Sequence, residues 1–177
     1  MSISACALPA QALLQRYRRA GAYTDCYKTE LDFAVSHSQF VAAFYTTRLF
    51  KLERLILHLA VRRGSSDQQA LALARAQREQ FAAWFVEARA EHQLLLSDYR
   101  QQTRSWLMTQ PAEPGTGTLL YFGSAVVDKR IENGQSQGMG LLFRALLGFH
   151  KLYSVALLQA ARRRLIRQHS TSESHAL

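Results

Sequence analysis

Four charged side chains interrupt otherwise hydrophobic runs in the middle of the chain: Glu87 and Arg89 in FAAWFVEAR, Asp98 in LLLSDY, and Arg104 two positions before Trp106 in TRSWLM. A carboxylate beside a guanidinium can fix a polar group through charge-assisted hydrogen bonds, and the planar guanidinium fork suits a carboxylate or hydroxyl. Strand alternation puts Glu87 and Arg89 on the face of Phe85, with Trp84, Val86 and Ala88 on the other. A solvated outer face would accommodate such charges without any ligand. If that face instead turns inward, Glu87 or Asp98 pairs with Arg104 inside a pocket. Trp106 projects from the same face as Arg104 and, with Tyr121 of LLYFGSAV, supplies apolar wall for an amphipathic molecule.

His150 follows Phe149 and precedes Tyr153 at the edge of an apolar stripe. An imidazole there serves either as a boundary residue with one satisfied nitrogen or as a general acid/base near neutral pH. His37, His58, His92, His169 and His175 are scattered without ligand spacing, and Cys6 and Cys26 have no Cys or His partner at metal spacing. Neither a metal nor another cofactor is therefore expected. There is no Walker A loop, GxGxxG, HExxH or GxSxG, so nucleotide, dinucleotide, zincin and α/β-hydrolase chemistries lack their signatures. Gly138-Met139-Gly140 reads as a flexible entry to the last helix.

The elements that must position these residues follow from period and caps. Tyr23 to Leu31, rich in Tyr and Thr between Gly21 and Asp32, predicts a first strand. Ser36 and Gln39 have capping-box spacing ahead of Phe40, Val41, Phe44 and Tyr45. After Thr46-Thr47 a second stripe runs from Leu49 to Leu59, and Ser65-Ser66-Asp67 opens a third helix through Gln77. From Phe81 the period becomes strand-like, giving segments near 81–89, 92–99, 103–110 and 117–127 whose short connections imply antiparallel hairpins. After a polar loop from Asp128 to Gly138, a helix over 139–167 presents Leu142, Leu146, Phe149, Tyr153, Ala156, Leu157 and Ala160 on one face. Pro9 to Gly21 reads as a short helix in an N-terminal extension over 1–21, and 168–177 as a frayed, disordered tail. The fold class is α+β, with an antiparallel sheet of about five or more strands gripping a long C-terminal helix and two or three helices inserted after the first strand.

One domain's worth of chain, 177 residues with 48% hydrophobic and 20% charged residues, can bury a core without cross-links. This excludes a disordered, collagenous or disulfide-stapled molecule. The excess of 22 Lys and Arg over 13 Asp and Glu invites anionic partners. Yet Arg16/Arg18/Arg19, Arg62/Arg63 and Arg162/Arg163/Arg164/Arg167 fall near expected helix ends, where cations complement the dipole. No specific nucleic acid partner is expected on that account, and at most weak contact with anionic membrane. No apolar run reaches the 18 residues of a membrane span, and two cysteines suit a reducing compartment, so the expected location is cytoplasmic.

This order of elements resembles the START-like, or SRPBCC helix-grip, superfamily of polyketide cyclases, lipid-transfer domains and pollen allergens. W-x-V-E at Trp84 to Glu87, LLLSDYRQQTRSWL, LLYFGSAV and LLFRALLGFHKLYSVALL resemble a bacterial family within it that has no agreed activity and is sometimes joined to nucleoside-diphosphate-sugar epimerase-like domains. The likeness covers about residues 81–160 and rests on Trp84, Glu87, Asp98, Arg104, Trp106, Phe149 and His150. It implies a binding grip without implying a reaction, and its full sheet has more strands than the five legible here. The expectation is a single domain over 1–177 that holds an apolar or amphipathic small molecule, lipid-, polyketide- or isoprenoid-like, between sheet and terminal helix. Glu87, Asp98, Arg104, Trp106, Tyr121, Phe149, His150 and Tyr153 are the expected ligand contacts. Two alternatives are a cyclase or dehydratase using His150 or Asp98 as base, and a basic interaction protein docking on nucleic acid or anionic membrane.

Overall fold

A computed structural model describes residues 2–51, 65–113, 115–127 and 141–174, apart from the side chains of 141–150 and of residue 173. The alternating segments form β2 (Tyr23–Leu31), β4 (Trp84–Ala90), β5 (Gln93–Asp98), β6 (Thr103–Pro111) and β7 (Thr118–Val126). Two strands of two residues, β1 (Ser4–Ala5) and β3 (Gln80–Phe81), complete one antiparallel sheet of order β1-β2-β7-β6-β5-β4-β3. The sheet thus has seven strands where five were legible, because a two-residue strand shows no alternation. The segment read as one strand over 81–89 is broken at Ala82, which turns the chain with φ +52.

The helices are α1 (Gln15–Arg19), α2 (His37–Tyr45), α3 (Asp67–Ala74) and α4 (Leu141–Ser174), with residues 48–51 also helical. Both expected caps are formed. The Ser36 and Ser66 hydroxyls accept from Gln39 and Gln69 N–H, and the two glutamine side chains accept in return from the capping residues' own N–H groups. α1 is shorter than the 9–21 helix, and α3 stops at Ala74, not Gln77. α4 runs on through most of the stretch expected to fray, its late Ser170, Thr171, Ser172 and Ser174 hydroxyls bonding back to carbonyls one turn earlier. Beyond Lys51, the expected second helix lies outside the described residues, as do the 128–138 loop and Gly138-Met139-Gly140.

Two apolar layers sandwich the sheet. On the grip face, Tyr27, Leu31, Leu94, Leu96, Leu107, Leu120 and Phe122 pack against Phe40 and Phe44 of α2 and Leu157, Leu158, Ala161 and Leu165 of α4. The buried seam of α4 runs through Ser154, Leu157, Leu158, Ala161 and Leu165. Ala156, placed on the core face by the sequence stripe, is exposed, and Tyr153 is half-buried. The opposite face carries Cys26, Leu95, Trp106, Met108, Tyr121 and Ala125, covered by Leu8, Ala12 and Leu14 of the N-terminal segment. No helix among the described residues is long and apolar enough to cross a membrane.

Candidate functional site

Strand parity decides where the expected site residues stand. Arg104, Trp106 and Tyr121 share the parity of Leu95 and Cys26, so they lie on the outer face under the N-terminal segment and not on the grip face. Tyr153 is on α4, across the sheet from them. The side chains of Phe149 and His150 lie outside the described residues. One pocket between sheet and helix therefore does not gather this set.

Glu87 reaches the outer face through a β-bulge. Val86 pairs with Leu96 and Ala88 with Leu95, leaving Glu87 the extra residue and sending Val86 and Ala88 to opposite faces. The bulge also parts Glu87 from Arg89, whose alternation would have kept them together. Arg89 instead donates to the Arg78 carbonyl at 3.0 Å and pairs with Glu79 at 3.5 Å. The Glu87 carboxylate accepts from the Tyr17 hydroxyl and pairs with Arg16 and Arg104. Arg104, 8% exposed, also donates Nε to Tyr17 Oη at 2.7 Å and Nη1 to the Thr103 carbonyl at 3.2 Å. Its guanidinium lies 4.8 Å from the Tyr17 ring centroid.

The expected Arg104–carboxylate pair is thus present, with Glu87 as partner. Asp98 is one position out of phase with Arg104's partner Ser97, and its carboxylate accepts from Gln102 and Thr103 N–H at 2.7 and 3.1 Å to fasten the β5–β6 turn. Trp106 donates Nε1 to Gln93 at 2.9 Å, and Gln93 in turn holds the backbone of Leu13 and Gln11. Glu87 and Arg104 border a shallow cavity of about 500 Å³. Their polar atoms are engaged in clasping α1 to the sheet.

A larger cavity, about 820 Å³, opens at the end of the sheet where α2 begins and α3 ends. Val35 and His37 from the start of α2, Ala74 from the end of α3, and Arg89, Thr109 and Thr118 from the strands line it. Its volume lies within the usual range of small-molecule sites. The Ser36 cap sets the direction of α2 and so turns its first residue, His37, against the sheet. Thr118 Oγ1 accepts from Val35 N–H at 2.9 Å and donates to the Phe33 carbonyl at 3.0 Å, fixing the chain that enters α2.

Burial pushes the His37 imidazole down from 6.5 to about 4, against a smaller upward pull from the Leu107 carbonyl. At neutral pH it is an uncharged group, and its Nε2 is buried without a hydrogen-bond partner. Thr29 Oγ1, Trp84 Nε1 and Ser154 Oγ are among the other buried polar atoms on the grip side that lack one. Such atoms are uncommon in native interiors. Spacing could not single out His37, because the sequence signal beside it is the capping box, which reports the helix start and not the cavity beneath it.

No protein-family model matches the chain, and no curated protein matches it. Among solved structures the chain is similar to CalU16 from Micromonospora echinospora, at 14% identity and a TM-score of 0.32, covering 92% of this chain and 90% of that one.

Proposed function

We propose that the protein is a binding module for a small amphipathic molecule, and that the ligand enters at the cavity between the start of α2, the end of α3 and the strand ends. The observation that carries this reading is His37, which lines a cavity of about 820 Å³ with a neutral imidazole whose Nε2, buried just beneath that wall, has no hydrogen-bond partner. Apolar Val35 and Ala74 suit a hydrocarbon body, and the imidazole with Thr109 suits a hydroxyl group that can donate to Nε2. Binding is favoured over general-base catalysis by magnitude: a base held near 4 has little driving force for proton abstraction at neutral pH. The α+β grip arrangement and the resemblance to SRPBCC proteins agree with a ligand-holding role.

The test is titration of the full chain with decan-1-ol, whose hydroxyl can donate to Nε2, followed by calorimetry, for the wild type and His37→Phe. The replacement keeps a ring in place and removes the nitrogens. One molecule should bind the wild type, and the variant should bind about 5–15-fold more weakly, the worth of one net hydrogen bond of about 1–1.5 kcal/mol. Equal affinity in two folded proteins would remove His37 from the site.

A further inference from the structure

The arginines of α4 have no helix end to complement. The helix continues to Ser174, so Arg162, Arg163, Arg164 and Arg167 lie twelve, eleven, ten and seven residues short of its last residue (174 minus 162, 163, 164 and 167). A helix dipole acts within the terminal turn, which here holds no basic residue. Arg163 and Arg167 are moreover four apart, where like charges on a helix repel.

Arg163, Arg164 and Arg167 face a groove of about 1290 Å³ between α4 and α2, with Arg48 on its far side. Gln39 and Gln168 add amides, and no Asp, Glu or aromatic residue lines the groove among the described residues. Arg48, Arg163 and Arg167 make no ion pair among the described residues. Arg164 donates Nη1 to the Thr46 carbonyl at 3.3 Å, which anchors it across the groove, while its Nε is buried without a partner. Gln39 and Ala42 border this groove, whereas Ala34 to Ser38 border the His37 cavity, so the two sites lie along different parts of α2.

We infer that this groove is an anion site for a small molecule carrying a diphosphate or comparable polyanionic group. The guanidinia of Arg48, Arg163 and Arg167 on one concave surface, beside the anchored Arg164, match several phosphate oxygens, since each free planar fork can bind a phosphate with two parallel hydrogen bonds. Concavity favours a compact ligand over a flat membrane. The absence of an aromatic platform among the described lining residues disfavours stacked single-stranded bases. The site is independent of the His37 cavity and stands or falls separately from it.

The experiment is calorimetric titration of the full chain with inorganic pyrophosphate in 150 mM NaCl, beside inorganic phosphate, for the wild type and an Arg163→Gln/Arg167→Gln double variant. Both arginines are exposed, and thermal melting checks that the variant folds. Pyrophosphate should bind one to one, at least tenfold more tightly than phosphate, and the double variant should lose at least tenfold in pyrophosphate affinity while keeping its decan-1-ol affinity. No pyrophosphate binding at this salt, or equal affinity in the variant, would overturn the site. So would tighter, arginine-dependent binding of vesicles with 30 mol% phosphatidylglycerol, or of a 20-base-pair duplex, because a macromolecular surface would then be the occupant.

Discussion

At the scale of single residues, His37 is kept neutral by burial, while Arg104 is fixed in place by an ion pair and two hydrogen bonds. The imidazole of His37 is held near 4 against 6.5 when unfolded, so between these values the unfolded chain binds the extra proton. Its neutral form thus contributes stability that is full above pH 6.5 and is lost as the pH falls toward 4, amounting to no more than about 3 kcal/mol. Urea unfolding at pH 7 and pH 4 should show the wild type losing more stability on acidification than His37→Phe; parallel losses would contradict the burial argument. Arg104 is held by Tyr17, Glu87 and the Thr103 carbonyl on the outer face. Arg104→Lys cannot reproduce that planar set of contacts and should cost about 1–3 kcal/mol in urea unfolding while leaving decan-1-ol affinity within about twofold. A loss of binding at unchanged stability would return Arg104 to the ligand site that its pairing with a carboxylate and a nearby Trp first suggested.

The element that most changes the picture is the N-terminal segment. It was legible as a short helix between Pro9 and Gly21, yet nothing in its periodicity says that it covers one face of the sheet. Its hold depends on close approach: a Cβ on Gly123 would fall 2.9 Å from the Asp25 carbonyl oxygen and about 3 Å from Trp106 and from Leu14 of the segment itself. Cys6 and Cys26 bring their sulfurs to 3.4 Å beside a backbone bond from Cys6 N–H to the Cys26 carbonyl at 2.9 Å. Diamide should oxidise this pair to a disulfide, the two thiols giving up two electrons and two protons to the reagent. Closing about 20 residues should then stabilise the chain by about 3 kcal/mol and raise the melting temperature by about 6–12 °C. The check is a monomer lighter by two hydrogens with a raised melting point, absent in Cys26→Ser; a disulfide-linked dimer would contradict the geometry. Sequence logic excluded a disulfide framework from the count of two cysteines, but the proximity of that pair depends on β1, a strand too short to read.

Across the whole molecule, the α+β order, the Ser36 capping box, the helix start at Ser65-Ser66-Asp67 and the antiparallel meander were legible because each leaves a local signal in period or cap chemistry. The orientation of the sheet was not, since alternation separates two faces without saying which one meets the helix. The bulge at Glu87 compounds this by reversing parity within a single strand, so residues that read as neighbours, Glu87 and Arg89, part company. The pocket expected around Arg104 and Trp106 accordingly sits beneath the N-terminal segment, and the grip side opens instead at the strand ends near His37. Backbone and imidazole NMR of the uniformly labelled full chain during decan-1-ol addition tests this assignment most directly. Saturable shifts should centre on Val35, His37, Ala74, Thr109 and Thr118 and leave Tyr17, Glu87 and Arg104 in place; shifts centred on those three outer-face residues, or none at all, would contradict it.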